Sequence, residues 1–241
     1  MPSSRLFAAV IGDVVGSRHL PSRPAVQAKL ERVVALINER FTDDIASAFL
    51  ITLGDEFQGL LRSVGRLLDL TYAAELELYP VRIRFGVGIG RLDTSLREVA
   101  LGMDGPAFHR AREALEVAKK RHLPLVFRSE DPVANAIVTD CYALTARVRA
   151  VWTPKQREVA HLLLNERLQK AIAARLNVEP AAISQRLAGA MWHELESSRM
   201  SLQLFLGSWF TPQKPEDEAG GESGEPCGLG AVLVDPRGDT G

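Results

Sequence analysis

Leu50-Ile51-Thr52-Leu53-Gly54-Asp55-Glu56-Phe57-Gln58-Gly59-Leu60-Leu61 decides how the rest of this chain is read. Two apolar runs flank Gly54-Asp55-Glu56, and apolar runs of this length broken by Gly-Asp predict two buried strands joined by a tight turn. The turn lifts two carboxylates out of an apolar sheet. Carboxylates there are costly unless a positive charge, usually a metal ion, stands opposite them.

Upstream, Leu6-Phe7-Ala8-Ala9-Val10-Ile11 is fully apolar and reads as a central strand ending in Gly12-Asp13-Val14-Val15-Gly16-Ser17-Arg18. From Pro24 to Phe41, apolar residues recur at helical spacing: Val26, Leu30, Val33, Val34, Ile37 and Phe41. Downstream of the hairpin comes a second amphipathic helix, with Val64, Leu67, Leu68, Leu70, Tyr72 and Leu76, stopped by Pro80. Val81 to Ile89 then alternates as a strand. Strand, helix, hairpin, helix, strand is a split βαβ order, so the fold class is α+β, with a ferredoxin-like layer of sheet under helices. That topology brings Asp13 beside Asp55, 42 positions away in the chain.

The chain continues with a loop at Gly102–Pro106, a helix from Ala107 to Arg121 and an edge strand at Leu123–Phe127. A long helix follows to about Val151, with Asp131 as N-cap and Pro132 at its first position. From Thr153 the pattern is all helical: Thr153 to about Leu164, Leu168 to Leu176, a turn at Asn177-Val178, and a third helix from Pro180 to about Phe210. Ile172, Ala173, Leu176, Val178, Ile183 and Leu187 have helix-turn-helix spacing. The expected organisation is a sheet-and-helix domain over 1–130, a connecting helix over 131–152, a helix-turn-helix domain over 153–210 and a disordered tail over 211–241. The tail holds seven acidic and two basic residues and too little apolar surface to offset the entropy of ordering.

Hydrophobic residues make up 46% and charged residues 24% of the 241 positions, as in an ordinary globular protein. The net charge of −1 gives no overall attraction to nucleic acid or membrane. Two distant cysteines, Cys141 and Cys227, make no disulfide framework. With no signal-peptide pattern and no apolar stretch of spanning length, the expectation is a cytoplasmic protein without a membrane partner.

Two carboxylates brought together repel unless a cation intervenes, and oxygen ligands favour Mg²⁺ or Ca²⁺, of which Mg²⁺ usually arrives with a phosphate. Gly16-Ser17-Arg18 precedes a helix, and helix N-termini attract phosphate. The residues thus predict a magnesium-nucleotide site; the alternative is that Asp55-Glu56 only turns the hairpin and Asp13 only caps a loop. Gly86-x-Gly88-x-Gly90 opens no helix and is not a dinucleotide fingerprint; it predicts close backbone packing and a turn. Met191 and Trp192 are expected in the core.

Ile11-Gly12-Asp13-Val14-Val15-Gly16-Ser17 is similar to the first metal strand of class III nucleotidyl cyclases. Leu53-Gly54-Asp55-Glu56-Phe57 resembles both the cyclase Gly-Asp hairpin and the GGDEF motif of diguanylate cyclases. Gly105-Pro106 with Ala111-Arg112 is similar to a cyclase helix start, and Ala111-x-x-Ala114-Leu115-x-x-Ala118-Lys119 to a GGDEF helix. Together with Gly102-Met103-Asp104-Gly105-Pro106-Ala107-Phe108 and the C-terminal helices, these stretches resemble the bacterial SatD family over about residues 5–210. The resemblance implies that Asp13, Asp55 and the Val14 carbonyl hold Mg²⁺. It also implies that Gly16, Ser17, Arg18, Gly54, Glu56, Arg112 and Lys119 surround a purine nucleotide, in a possible homodimer. The implied chemistry is metal-assisted attack of a ribose 3′-hydroxyl on an α-phosphate. Three positions depart from that pattern: Leu53 stands at the first GGDEF glycine, Ile51 near the base-reading lysine, and Phe108 at the asparagine. The departures favour a regulatory nucleotide-binding domain over an ordinary cyclase; the alternatives are an active nucleotidyl cyclase or nucleotidyltransferase whose helical C-domain serves dimerisation or targeting, and a non-catalytic protein adaptor.

Thr153 to Val159, followed by Ile172-Ala173-x-x-Leu176-Asn177-Val178 and Ile183-Ser184, is similar to the C-terminal domains of response regulators and sigma factors. That resemblance implies DNA as a partner, with Ser184, Gln185 and Arg186 on a recognition helix and Lys170 and Arg175 on phosphates. Residues 151–210 carry seven basic and five acidic side chains, a weak electrostatic footprint, so a helical module for protein contacts is the alternative.

Overall fold

The computed structural model describes residues 5–17, 22–163, 166 and 168–210, all within one compact unit. Arg18 and the tail 211–241 lie outside the described residues. The first six elements are β1 (Phe7–Val14), α1 (Arg23–Arg40), β2 (Ile45–Leu53), β3 (Glu56–Leu61), α2 (Leu67–Leu78) and β4 (Ile83–Gly90). Then come α3 (Pro106–Arg121), β5 (Leu125–Arg128), α4 (Pro132–Ala150), α5 (Pro154–Leu163), α6 (Gln169–Leu176), α7 (Pro180–Gly189) and α8 (Trp192–Phe210).

The sheet order is β2-β3-β1-β4-β5. The first four strands pair antiparallel, as the split βαβ order requires, and β5 adds parallel to β4 at the edge. Side-chain caps start two helices, at Asp131 as expected and at Ser22, which the sequence reading does not single out. Ser22 Oγ accepts the Ala25 N–H at the start of α1, and Asp131 Oδ1 accepts from Val133 and Ala134 at the start of α4.

Alternate residues of β1 enter different cores. Ala8, Val10 and Val14 pack with α1, α2, α4 and α8 through Leu30, Val33, Leu70, Val138 and Leu206. Phe7, Ala9 and Ile11 pack on the opposite face with Ala107, Phe108, Ala111 and Leu115 of α3. The sheet is therefore covered on both sides, where the sequence reading placed helices in one layer. Gly86 and Gly88 of β4 explain how α3 closes its face. A Cβ at Gly88 would lie 2.2 Å from Ala107 O and Ala111 N, and one at Gly86 2.3 Å from Ala111 O. The helix backbone rests directly on the strand, so the glycine repeat is the close-packing device expected of it.

The third C-terminal helix is shorter than expected. It ends at Gly189, and α8 starts afresh at Trp192 after Met191, which has φ +53°. Trp152 Nε1 donates to Ala190 O at 2.9 Å, satisfying a carbonyl freed by the break. Trp192 packs with Tyr72 and Trp152, whereas Met191, expected in the core, is 48% exposed. No described helix is long and apolar enough to cross a membrane.

Candidate functional site

Three strands and one helix end at the same place. Asp13 is paired across the sheet with Glu56 of β3 on one side and Arg84 of β4 on the other. Residues opposite one another in antiparallel strands project to one face, and continuing the alternation Phe7, Ala9, Ile11 puts this row on the α3 face. A carboxylate, a second carboxylate and a guanidinium thus lie side by side under the C-terminal half of α3. Lys119 Nζ lies 3.3 Å from Asp13 Oδ1, and Arg84 Nε 3.4 Å from Asp13 Oδ2. Arg112 Nη1 donates to both Glu56 oxygens at 2.7 Å.

The turn supplies the third carboxylate. Gly54 has φ +45°, a left-handed conformation that glycine adopts without steric cost. Asp55 O accepts the Val14 N–H at 3.0 Å, fastening the end of β1 to the hairpin. Gly16, with φ +70°, swings the chain after β1 so that Ser17 Oγ donates to Asp55 Oδ2. The hairpin loop is Gly54-Asp55 alone. Glu56, expected to stand out of the sheet with Asp55, is the first residue of β3 and is buried. Its burial is tolerated because Arg112 neutralises it.

Burial is the largest influence on Asp13 and holds its carboxyl above the usual range. Lys119 and then Arg84 pull it back, and the charge on Asp55 pushes it up again. Asp13 and Asp55 are therefore within electrostatic reach of one another. No three His, Cys, Asp or Glu side chains among the described residues form a metal-holding group. Two carboxylates fit a magnesium ion that keeps its waters and shares phosphate oxygens, which is the usual mode for this ion, and do not fit an all-protein cage. Lys119 and Arg84 are the counter-charges such an ion would meet at Asp13.

Of the residues expected at the site, Asp13, Val14, Gly16, Ser17, Gly54, Asp55, Glu56, Arg112 and Lys119 gather at this end of the sheet. Glu56 and Arg112 are engaged with each other, which leaves them less free for a ligand than expected. Arg84 was missed. Its signal lies in the sequence: along β4 the α3-facing positions are Arg84, Gly86, Gly88 and Gly90, so one charged side chain interrupts a glycine row.

In the C-terminal helices, Val159, Ile172, Ala173, Ile183 and Leu187 form one small core across α5, α6 and α7. Asn177, with φ +51°, ends α6, and Val178 N–H returns to Ala173 O at 3.0 Å. Lys170, Arg175, Ser184 and Gln185 are exposed and Arg186 is half-buried. Ser184 Oγ is within 3.3 Å of Gln169 Oε1 and 3.4 Å of Pro180 O.

The family model of the SatD family matches residues 7–195. No curated protein matches the chain. Among solved structures, a bacterial light-regulated adenylyl cyclase is similar at 13% identity and a TM-score of 0.37, over 52% of this chain and 77% of its own. The guanylyl cyclase Cya2 is similar at 14% identity and a TM-score of 0.31, over 48% of this chain and 73% of its own. Neither likeness is large enough to assign an activity.

Proposed function

This chain belongs to the SatD family, and we propose that it is a regulator that binds a magnesium-nucleotide at the end of β1 and DNA through α6 and α7. The observation that carries the first half is the pair Asp13 and Asp55, on adjoining segments tied by the Val14 to Asp55 hydrogen bond. Asp13 and Asp55 would hold the ion, with the Val14 carbonyl. Bound magnesium would neutralise phosphate charge. Lys119 and Arg84, released from Asp13, would face phosphate oxygens, and Ser17 would orient Asp55.

Binding is favoured over catalysis by Phe108, which is buried against the sheet where a polar side chain would be needed. Arg112 is likewise committed to Glu56. In thermal-shift titrations, a purine triphosphate with Mg²⁺ raises the melting temperature and Asp13→Ala abolishes the shift. An equal shift in the variant, or none with any nucleotide, rejects the site. Incubation with the four triphosphates followed by chromatography should return them unchanged.

The second half rests on exposed Lys170, Arg175, Ser184 and Gln185 flanking the α6–α7 turn. Salt-titrated DNA binding by the full chain should weaken on Arg186→Ala by about 1–3 kcal/mol at sites where this side chain reads a base. Lys170→Ala should lower the salt dependence by about one counter-ion. A chain that shows no salt-dependent DNA binding leaves α5–α7 as a protein-contact module.

A further inference from the structure

An open cleft of about 520 Å³ lies where the start of β4, the C-terminal end of α2, the residues after α3 and the α4–α5 corner meet. Five arginines line it: Arg82 and Arg84 from the β4 strand and the residue before it, Arg147 and Arg149 from the last turn of α4, and Arg157 from α5. Glu75 is the one carboxylate in the wall. It is consumed by Arg149 Nη2 at 2.9 Å and by the Tyr142 hydroxyl at 2.9 Å. Arg84 faces Asp13. Arg82, Arg147 and Arg157 have no carboxylate partner among the described residues, and Arg82 and Arg147 stand exposed at the rim.

Four buried side-chain polar atoms among the described residues lack a hydrogen-bond partner, and three are the Nε atoms of Arg84, Arg149 and Arg157. All three arginines line this cleft. Arg84 Nε stands 3.4 Å from Asp13 Oδ2, and the Nε atoms of Arg149 and Arg157 are enclosed beside aromatic rings, so the charge offered to the cleft is that of the guanidinium groups lining it. Helix stabilisation accounts for part of the arrangement: Arg147 and Arg149 suit the negative end of α4, and Arg157 Nη2 donates to Arg149 O at 2.9 Å. It does not account for Arg82 and Arg84, which are not on a helix.

We propose that this cleft binds a phosphorylated small molecule of about nucleotide size. Guanidinium groups match phosphate oxygens in pairs. The volume lies in the ordinary range for small ligands, about 300–1,000 Å³. Val81, Ile83, Leu123, Pro124 and Ala146 supply an apolar wall for a ring, and Arg157 stacks 4.1 Å from the Tyr79 ring centroid beside it. Because its walls come from β4 on one side and from α4 and α5 on the other, a bound anion would tie the α4–α5 corner to the sheet. The site is built from residues other than the Asp13–Asp55 pair and does not rest on the magnesium reading. Arg84 is the residue the two share.

Calorimetric titration of the full chain with pyrophosphate and with ATP, in EDTA, tests it. At least one probe binds without metal, and the double variant Arg82→Gln/Arg147→Gln, altered at two exposed positions, weakens it at least about tenfold. Asp13→Ala leaves that binding unchanged or tighter, since Arg84 is released. Equal affinity for both probes identifies phosphate as the feature read, and tighter ATP adds the apolar wall. No binding in EDTA, or parental affinity in the double variant, overturns the proposal. Binding that requires Mg²⁺ and is lost in Asp13→Ala overturns it too, while supporting the magnesium-nucleotide reading.

Discussion

The two faces of the sheet are closed by opposite means. Toward α1, α2, α4 and α8, large side chains such as Phe57, Phe85, Leu30 and Leu70 fill the space. Toward α3 the fill is backbone, with Gly86 and Gly88 under Ala107 and Ala111. Each face also has its own ionic group. On the first, Glu75 and Arg149 are nearly enclosed, with side chains 20% and 12% exposed, and Arg149 lies over the rings of Tyr72 and Tyr142. On the second, Asp13, Glu56 and Arg84 are equally buried, with side chains 12%, 7% and 14% exposed, but their partners on α3, Arg112 and Lys119, are 46% and 34% exposed. Close contact of α3 with the sheet leaves no depth for long polar side chains over the glycines, so they collect where the helix runs past the strands. In the buried pair each charge is needed because the other is there, and removing either leaves an uncompensated charge. The second group keeps two of its cations partly in contact with solvent.

Breaking the buried pair should have the largest effect. Glu75→Ala strands the Arg149 charge and should destabilise by about 3–5 kcal/mol in denaturant unfolding. Glu75→Leu with Arg149→Met should recover much of that loss, because no unpaired charge remains. A double variant as unstable as the single one would show that packing, not charge, is at stake.

The closures themselves come next. Gly88→Val drives a side chain into the α3 backbone and should cost about 3 kcal/mol. Val87→Ala, one position along on the other face, opens a cavity instead and should cost about 2 kcal/mol. The expected difference in kind is structural: the glycine variant shifts α3 and disturbs Lys119 and Arg112, so it also weakens ligand binding, while the Val87 variant loses stability alone. Equal ligand affinity in the two would remove the link between α3 seating and the site.

The smallest effect is electrostatic. The folded Asp13 carboxyl titrates above its unfolded value because it is buried. Its favourable contribution is fully present below the unfolded value and is lost as pH rises through the folded one. Asp13→Asn lacks this titration, so its stability relative to the parent should rise with pH across that window in metal-free buffer. A pH-independent difference would mean that Lys119 and Arg84 hold Asp13 nearer its ordinary value.

Much of the fold was legible because its signals are local. Apolar runs marked β1 and the two hairpin strands, alternation marked β4, Asp131 marked a helix start, and Gly54-Asp55 marked the turn. The continuous helix from Pro180 to Phe210 was misjudged because the break at Ala190 depends on Trp152, 38 positions away, offering its indole N–H. The glycine row of β4 was read correctly in kind, but the sequence does not say which helix would rest on it. In the site, Asp13 and Asp55 were found from the turn and the strand end. Arg84 was not, although it interrupts the glycine row of β4, because only the β1–β4 register brings it to Asp13.

Sequence alone thus determined the element order, the acidic turn and the charged residues available to a site, because propensity, capping and periodicity act over a few residues. Tertiary structure decided which charges meet. Register aligned Glu56, Asp13 and Arg84, the seating of α3 brought Arg112 and Lys119 over them, and the α4–α5 corner gathered the arginines of the cleft. Coulomb interactions follow distance through space, and only the folded chain sets that distance.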